Sequence, residues 1–121
     1  MFARYDYSEF PEVRVFFTGS INTEEDFTLF TEQWIKLYDD KKDFSFIFDM
    51  ENIGFIHPTY CYKMAQFISE LKKRDKHYLT KSNIINVNSF MMYLLYITFK
   101  IQPPISPVYI HSQESIVTLI P

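Results

Sequence analysis

A short stretch of the chain holds most of the groups able to do chemistry: the carboxylates Asp49 and Glu51, then His57 and Cys61. His57 and Cys61 are four residues apart, so on one helix they share a face. A metal centre needs three or four ligands, and no Asp, Glu or His stands at a spacing that completes this pair. As base and nucleophile the pair has no better support, because Cys61 also belongs to an apolar helical stripe. Asp49 and Glu51 end a hydrophobic segment. A carboxylate there orients the following loop, coordinates a cation or closes a hydrogen-bonded turn. His77 and His111 fall near the ends of expected elements, where surface roles account for both.

Composition narrows the classes further. The chain has one cysteine, which excludes an internal disulfide and a multi-cysteine metal site. Its two glycines are too few for the glycine-rich loops that cradle dinucleotides or phosphates. Twelve basic against fifteen acidic residues leave a net charge of −3, which argues against bulk affinity for nucleic acid. No cofactor or metal is called for, and no catalytic residue is assigned. With 121 residues, 47% hydrophobic and 22% charged, the chain is expected to fold as one domain spanning residues 1–121.

The elements that position these residues follow from periodicity and punctuation. Val13, Val15 and Phe17 alternate, as in a half-buried strand over 12–18, and residues 3–8 pair with it across a turn at Pro11. Asn22 or Thr23 opens a helix, with Asn22 and Glu25 spaced as a capping box. Phe27, Phe30, Trp34, Leu37 and Tyr38 form its buried stripe. Residues 43–50 are nearly continuous in hydrophobicity, as in a strand buried on both faces. Pro58 suits the first turn of a second helix. Cys61, Met64, Ala65, Ile68 and Leu71 give that helix an apolar stripe. Lys72, Lys73, Arg74 and Lys76 crowd its end, either as a solvated complement to the helix dipole or as a site for an acidic partner.

A strand follows within 78–87, Ser89 caps a third helix over about 90–101, and Val108–Ile110 forms a last strand. Ser112 is expected to cap a terminal helix through Leu119. The order β-β-α-β-α-β-α-β-α predicts an α/β fold. Its four- to five-stranded, mostly parallel sheet is opened by an antiparallel hairpin and packed with about four helices, two on each face.

The motifs in this order resemble the STAS domain, the family named for sulfate transporters and anti-sigma-factor antagonists. They are Phe16-Phe17-Thr18-Gly19-Ser20-Ile21-Asn22, then Phe46-Ile47-Phe48-Asp49-Met50-Glu51-Asn52-Ile53-Gly54-Phe55-Ile56, then His57-Pro58-Thr59-Tyr60. The resemblance covers roughly residues 10 to 112. It implies a regulatory binding module and not an enzyme, with a kinase, a phosphatase or a transport assembly as protein partner. In stand-alone members the loop before the second helix reads Asp-Ser-Ser-Gly, and its second serine is phosphorylated. Aligned on Phe55-Ile56, Thr59 takes that position and is the candidate phosphoacceptor, while His57, Pro58 and Tyr60 replace the other three residues. A phosphate on Thr59 would add about −1.5 to −2 charges beside a helix N-terminus, where unpaired N–H groups welcome negative charge.

Candidate partner-binding residues are His57, Pro58, Tyr60 and Tyr62 at this corner, with Met91, Met92 and Tyr93 on the third helix. That helix has almost no polar face, so a cover is expected over residues 90–101: a second copy of the chain, another partner or a lipid surface. The twelve residues span about 18 Å, too short for a bilayer core of roughly 30 Å. With no transmembrane segment and no export signal, the expected compartment is the cytoplasm. The alternative function is a small-molecule or lipid carrier. It requires an aromatic-lined apolar cavity of about 300 Å³ or more.

Overall fold

A computed structural model describes residues 2–112 and 115–121. The chain builds β1 (Ala3–Asp6), β2 (Glu12–Phe17), α1 (Glu24–Lys36), β3 (Phe44–Asp49), α2 (Thr59–Lys72), β4 (Leu79–Ile85), α3 (Ser89–Ile101), β5 (Val108–His111) and β6 (Ile116–Leu119). A short 3-10 turn, Leu37–Asp40, extends α1.

Six strands form one sheet in sequential order, β1 to β6. The pairs β2–β3, β3–β4 and β4–β5 are parallel, and the two outer pairs are antiparallel. A sequential run of parallel strands joined by right-handed crossovers places every crossover helix on the same side. The expectation of two helices on each face is therefore corrected. Phe30 and Trp34 of α1, Cys61 and Ile68 of α2, and Met91 and Leu94 of α3 all meet the face built by Phe17, Phe48, Ile84 and Val108. Alternation supplies that face. Val13, Val15, Phe44, Phe46 and Ile110 are its most deeply buried side chains. Trp34 stands at its centre, its ring 4.8 Å from that of Phe46 and 5.2 Å from that of Phe67.

The expected terminal helix from Ser112 through Leu119 is also corrected. Ile116–Leu119 is a strand, and residues 113 and 114 lie outside the described residues. Ser112 has the chemistry of a helix cap but spends it on a hairpin. Its hydroxyl donates to Ser115 O at 2.7 Å and accepts from Ser115 N–H at 3.2 Å. The Ile116-Val117-Thr118 run then suits a strand, because β-branched side chains prefer the pleated surface. Among the described residues the sheet thus has six strands where four to five were expected, and the chain three α-helices where about four were. Caps shift by one residue. Thr23 and Asp26 make the reciprocal capping box of α1, and Asn88 Oδ1 accepts from Met91 N–H to cap α3.

Candidate functional site

In an open α/β sheet, loops at the carboxyl ends of the parallel strands gather recognition groups. The loops after β2, β3 and β4 are among them here, and these three hold two arrangements of contrasting character.

The first is centred on Asp49, the last residue of β3 and buried. Its Oδ2 accepts from Arg14 Nη2 at 3.0 Å. Its Oδ1 accepts from Asn86 Nδ2 at 2.9 Å and from Glu51 N–H at 3.1 Å. Burial opposes ionisation, but the hydrogen bonds from Asn86 and Glu51 N–H and the Arg14 guanidinium outweigh it. The carboxyl is held below its usual range. Asn86 adopts a left-handed conformation with φ of 58°, which asparagine tolerates better than most residues. Of the three roles open to Asp49, these contacts match the hydrogen-bonded turn that closes β3. Glu51 points to solvent. No group of three or more His, Cys, Asp or Glu placed to hold a metal ion occurs among the described residues.

The second arrangement is the corner that enters α2. Gly54 N–H donates to Gly19 O at 2.8 Å, which ties the β3–α2 loop to the loop after β2. The contact requires glycine: a Cβ at Gly54 would collide with the Ser20 hydroxyl and come within 2.9 Å of Ser20 N. Beyond this tie, His57, Pro58 and Thr59 are exposed. Thr59 N–H donates to His57 Nδ1 at 3.2 Å, and the Thr59 hydroxyl lies 2.9 Å from the same nitrogen. With Nδ1 accepting, the ring proton sits on Nε2 and the threonine hydroxyl donates.

The first turn of α2 differs from expectation. Its backbone donors are not unpaired. Tyr60 N–H donates to His57 O and Cys61 N–H to Pro58 O, both at 3.0 Å. Negative charge at Thr59 would therefore meet the helix dipole and the His57 ring, not a cradle of free N–H groups.

The other candidate residues separate by exposure. Tyr62 and Tyr93 are outward, 65% and 61% exposed. Tyr60 is half-buried, its ring 5.5 Å from Phe27 of α1 and 5.1 Å from Lys63 Nζ, while Lys63 also pairs with Glu24. Met92 is half-buried, and Met91 is fully inside the core. Met91 is therefore withdrawn from the partner-binding set. It points down onto the sheet while its neighbours on α3 point out.

Sequence reasoning missed Phe55 as a surface residue. Its ring is 63% exposed and stacks on Phe90 at 5.6 Å and 14°. Its neighbours Ile53, Gly54 and Ile56 are apolar or small, so the local sequence carries no signal that sets Phe55 outside the core. With Tyr62, Tyr93 and Tyr96, this pair gives the α2–α3 end of the molecule several exposed aromatic rings.

The basic cluster ends α2, away from the corner that opens it. Lys73 pairs with Glu70 at 3.2 Å, and the Arg74 guanidinium lies 5.5 Å from the Tyr38 ring centre. His111 Nε2 lies 2.9 Å from Asn83 Oδ1, and His77 is exposed. Between sheet and helices runs an apolar cavity of about 140 Å³. This is roughly half the volume set above for a carrier, and comparable to cavities that admit one benzene-sized guest.

Comparison with protein-family models, with curated proteins and with solved structures finds no match for the chain. No helix is long and apolar enough to cross a membrane among the described residues.

Proposed function

We propose that this chain is a non-catalytic regulatory interaction module of the STAS type. Its output surface is the corner entering α2 together with the outer stripe of α3. One observation carries the reading: an exposed Thr59 hydroxyl, held by His57, stands at the same end of the molecule as the exposed aromatic rings of Phe55, Tyr62, Phe90 and Tyr93. Aromatic side chains supply contact area at low entropic cost, and they are enriched where proteins meet. A phosphate on Thr59 changes charge and shape at the rim of such a surface without touching the core. The partner class follows from the resemblance: a kinase, a phosphatase or a transport assembly.

The test is affinity capture with the wild-type chain, Thr59→Glu and Thr59→Ala, with mass spectrometry of bait and captured protein. A partner retained by Thr59→Ala and lost by Thr59→Glu supports the switch. Equal capture by both variants removes it. The α3 stripe is checked separately by analytical ultracentrifugation. A dimer at micromolar concentration that Tyr93→Asp disperses supports self-association through residues 90–101, and a clean monomer excludes it.

A further inference from the structure

We propose that β6 is a docking edge for a second copy of this chain: two β6 strands pair antiparallel about a two-fold axis at Thr118 and join their sheets into one. This interface is separate from the corner at Thr59 and from the outer stripe of α3.

A strand at the rim of a sheet presents unpaired backbone groups, and proteins usually protect it with charged side chains. The two rims of this sheet are β1 and β6. β1 carries Arg4 and Asp6. From Ser115 to Pro121 the chain has no charged side chain. Two isoleucines of this segment stand out in solvent instead, Ile116 at 58% and Ile120 at 70% exposure.

The β5–β6 hairpin fixes which backbone groups face outward. Ser112 N–H donates to Ser115 O at 2.9 Å, so these two residues are a hydrogen-bonded pair. Such pairs alternate with non-hydrogen-bonded ones along an antiparallel ladder. Val117 and Leu119, opposite Ile110 and Val108, therefore turn their N–H and C=O groups towards β5. Ile116 and Thr118 turn theirs to the free edge, and Ile120 follows the same alternation when pairing prolongs the strand.

A second copy is singled out by what β6 meets when it is turned round on itself. With the axis at Thr118, Thr118 faces Thr118 of the second copy, and Ile116 faces Ile120 of the second copy on either side. Each of these pairs is of the hydrogen-bonded kind and exchanges two N–H···O bonds. The exposed isoleucines cover one another on one side of the joined sheet. On the other side Val117 meets Leu119, both of which already pack against the border of the core. Threonine and β-branched pairs are favourable across strands, and no like charges are brought together. An unrelated extended peptide would use the same backbone groups, but the isoleucine spacing matches β6 itself.

The test is sedimentation velocity of the full chain from micromolar to near-millimolar concentration, with amide hydrogen exchange over the same range. A dimer is expected, with exchange at the Ile116 and Thr118 amides slowing as concentration rises and with Tyr93→Asp leaving the dimer intact. Thr118→Pro removes an outward N–H, which an edge strand tolerates. It should weaken the dimer about tenfold or more, because the central pair loses both its bonds. Should that variant not fold, Ile116→Lys at its exposed site replaces it, with the same loss expected. Adding Ile120→Glu to Ile116→Lys should restore the dimer, since the axis at Thr118 sets the opposite charges face to face. A monomer throughout, or a dimer that Tyr93→Asp disperses and Thr118→Pro does not, overturns the interface. Failure of the paired charge variant to restore the dimer overturns the register at Thr118.

Discussion

On the helix side of the sheet, Val13, Val15, Phe44, Phe46 and Ile110 are sealed beneath three helices. One residue along each strand, on the opposite side, Arg14, Ile47, Asn83 and Tyr109 stand in a register row and remain half-buried. Sheets with parallel strands usually have both faces covered by helices, and this one is covered on one. The sealed face is held by aromatic packing, with Trp34, Phe46 and Phe48 in mutual ring contact. The open face relies on specific polar partners. Arg14 bridges to Asp49, the Arg4 and Arg14 guanidinium groups lie 4.4 and 5.1 Å from the Phe16 ring centre, and His111 meets Asn83. A packed face fails by volume, whereas a polar face fails by lost partners.

That contrast is testable by how much each side loses. Phe46→Ala empties the centre of the sealed face and should cost about 3–5 kcal/mol in urea unfolding. A loss below that of any open-face variant would invert the comparison. Asp49→Ala removes the shared acceptor of Asn86 and Arg14, and should cost about 1.5–3 kcal/mol, towards the lower end because both side chains can recover water.

Acid should act on the open side as well. The Asp49 carboxyl titrates lower when folded than when unfolded, so below the unfolded value near ~3.9 the unfolded state binds more protons. The stability Asp49 contributes is complete above that range and fades as pH falls through its folded value. Urea midpoints measured at pH 6 and pH 3 should converge between wild type and Asp49→Asn. A gap that stays constant would remove Asp49 as the titrating group.

Phe16→Ala deletes the ring beneath two guanidinium groups and should cost about 1 kcal/mol, with the penalty shrinking in high salt if the cation–ring contacts carry it. Thr59→Ala should be the mildest change, within about 0.5 kcal/mol, because the hydroxyl is exposed and its one partner, His57, is exposed too. A large loss there would make Thr59 a structural residue and weaken the proposed switch.

The alternation of Val13, Val15 and Phe17, the helical stripe from Phe27 to Trp34 and the stripe from Cys61 to Leu71 were legible along the chain, because period 2 and period 3.6 are properties of neighbours in sequence. So was the position of Pro58 at the start of α2. Cap chemistry was less decisive. The Ser112 hydroxyl serves a hairpin as readily as a helix, and what selects between them is whether a strand edge is free to receive Ile116–Leu119.

Sequence by itself determined the alternation of strands and helices as far as β5 and, for β2, α1 and α2, which side is apolar, since both depend on contacts within a few residues. Only the tertiary structure decided that all three helices share one face, that Arg14 and Asn86 converge on Asp49, and that Met91 turns inward while Tyr93 turns outward. These depend on residues distant in the chain meeting in three dimensions, and sheet order and crossover handedness govern such meetings.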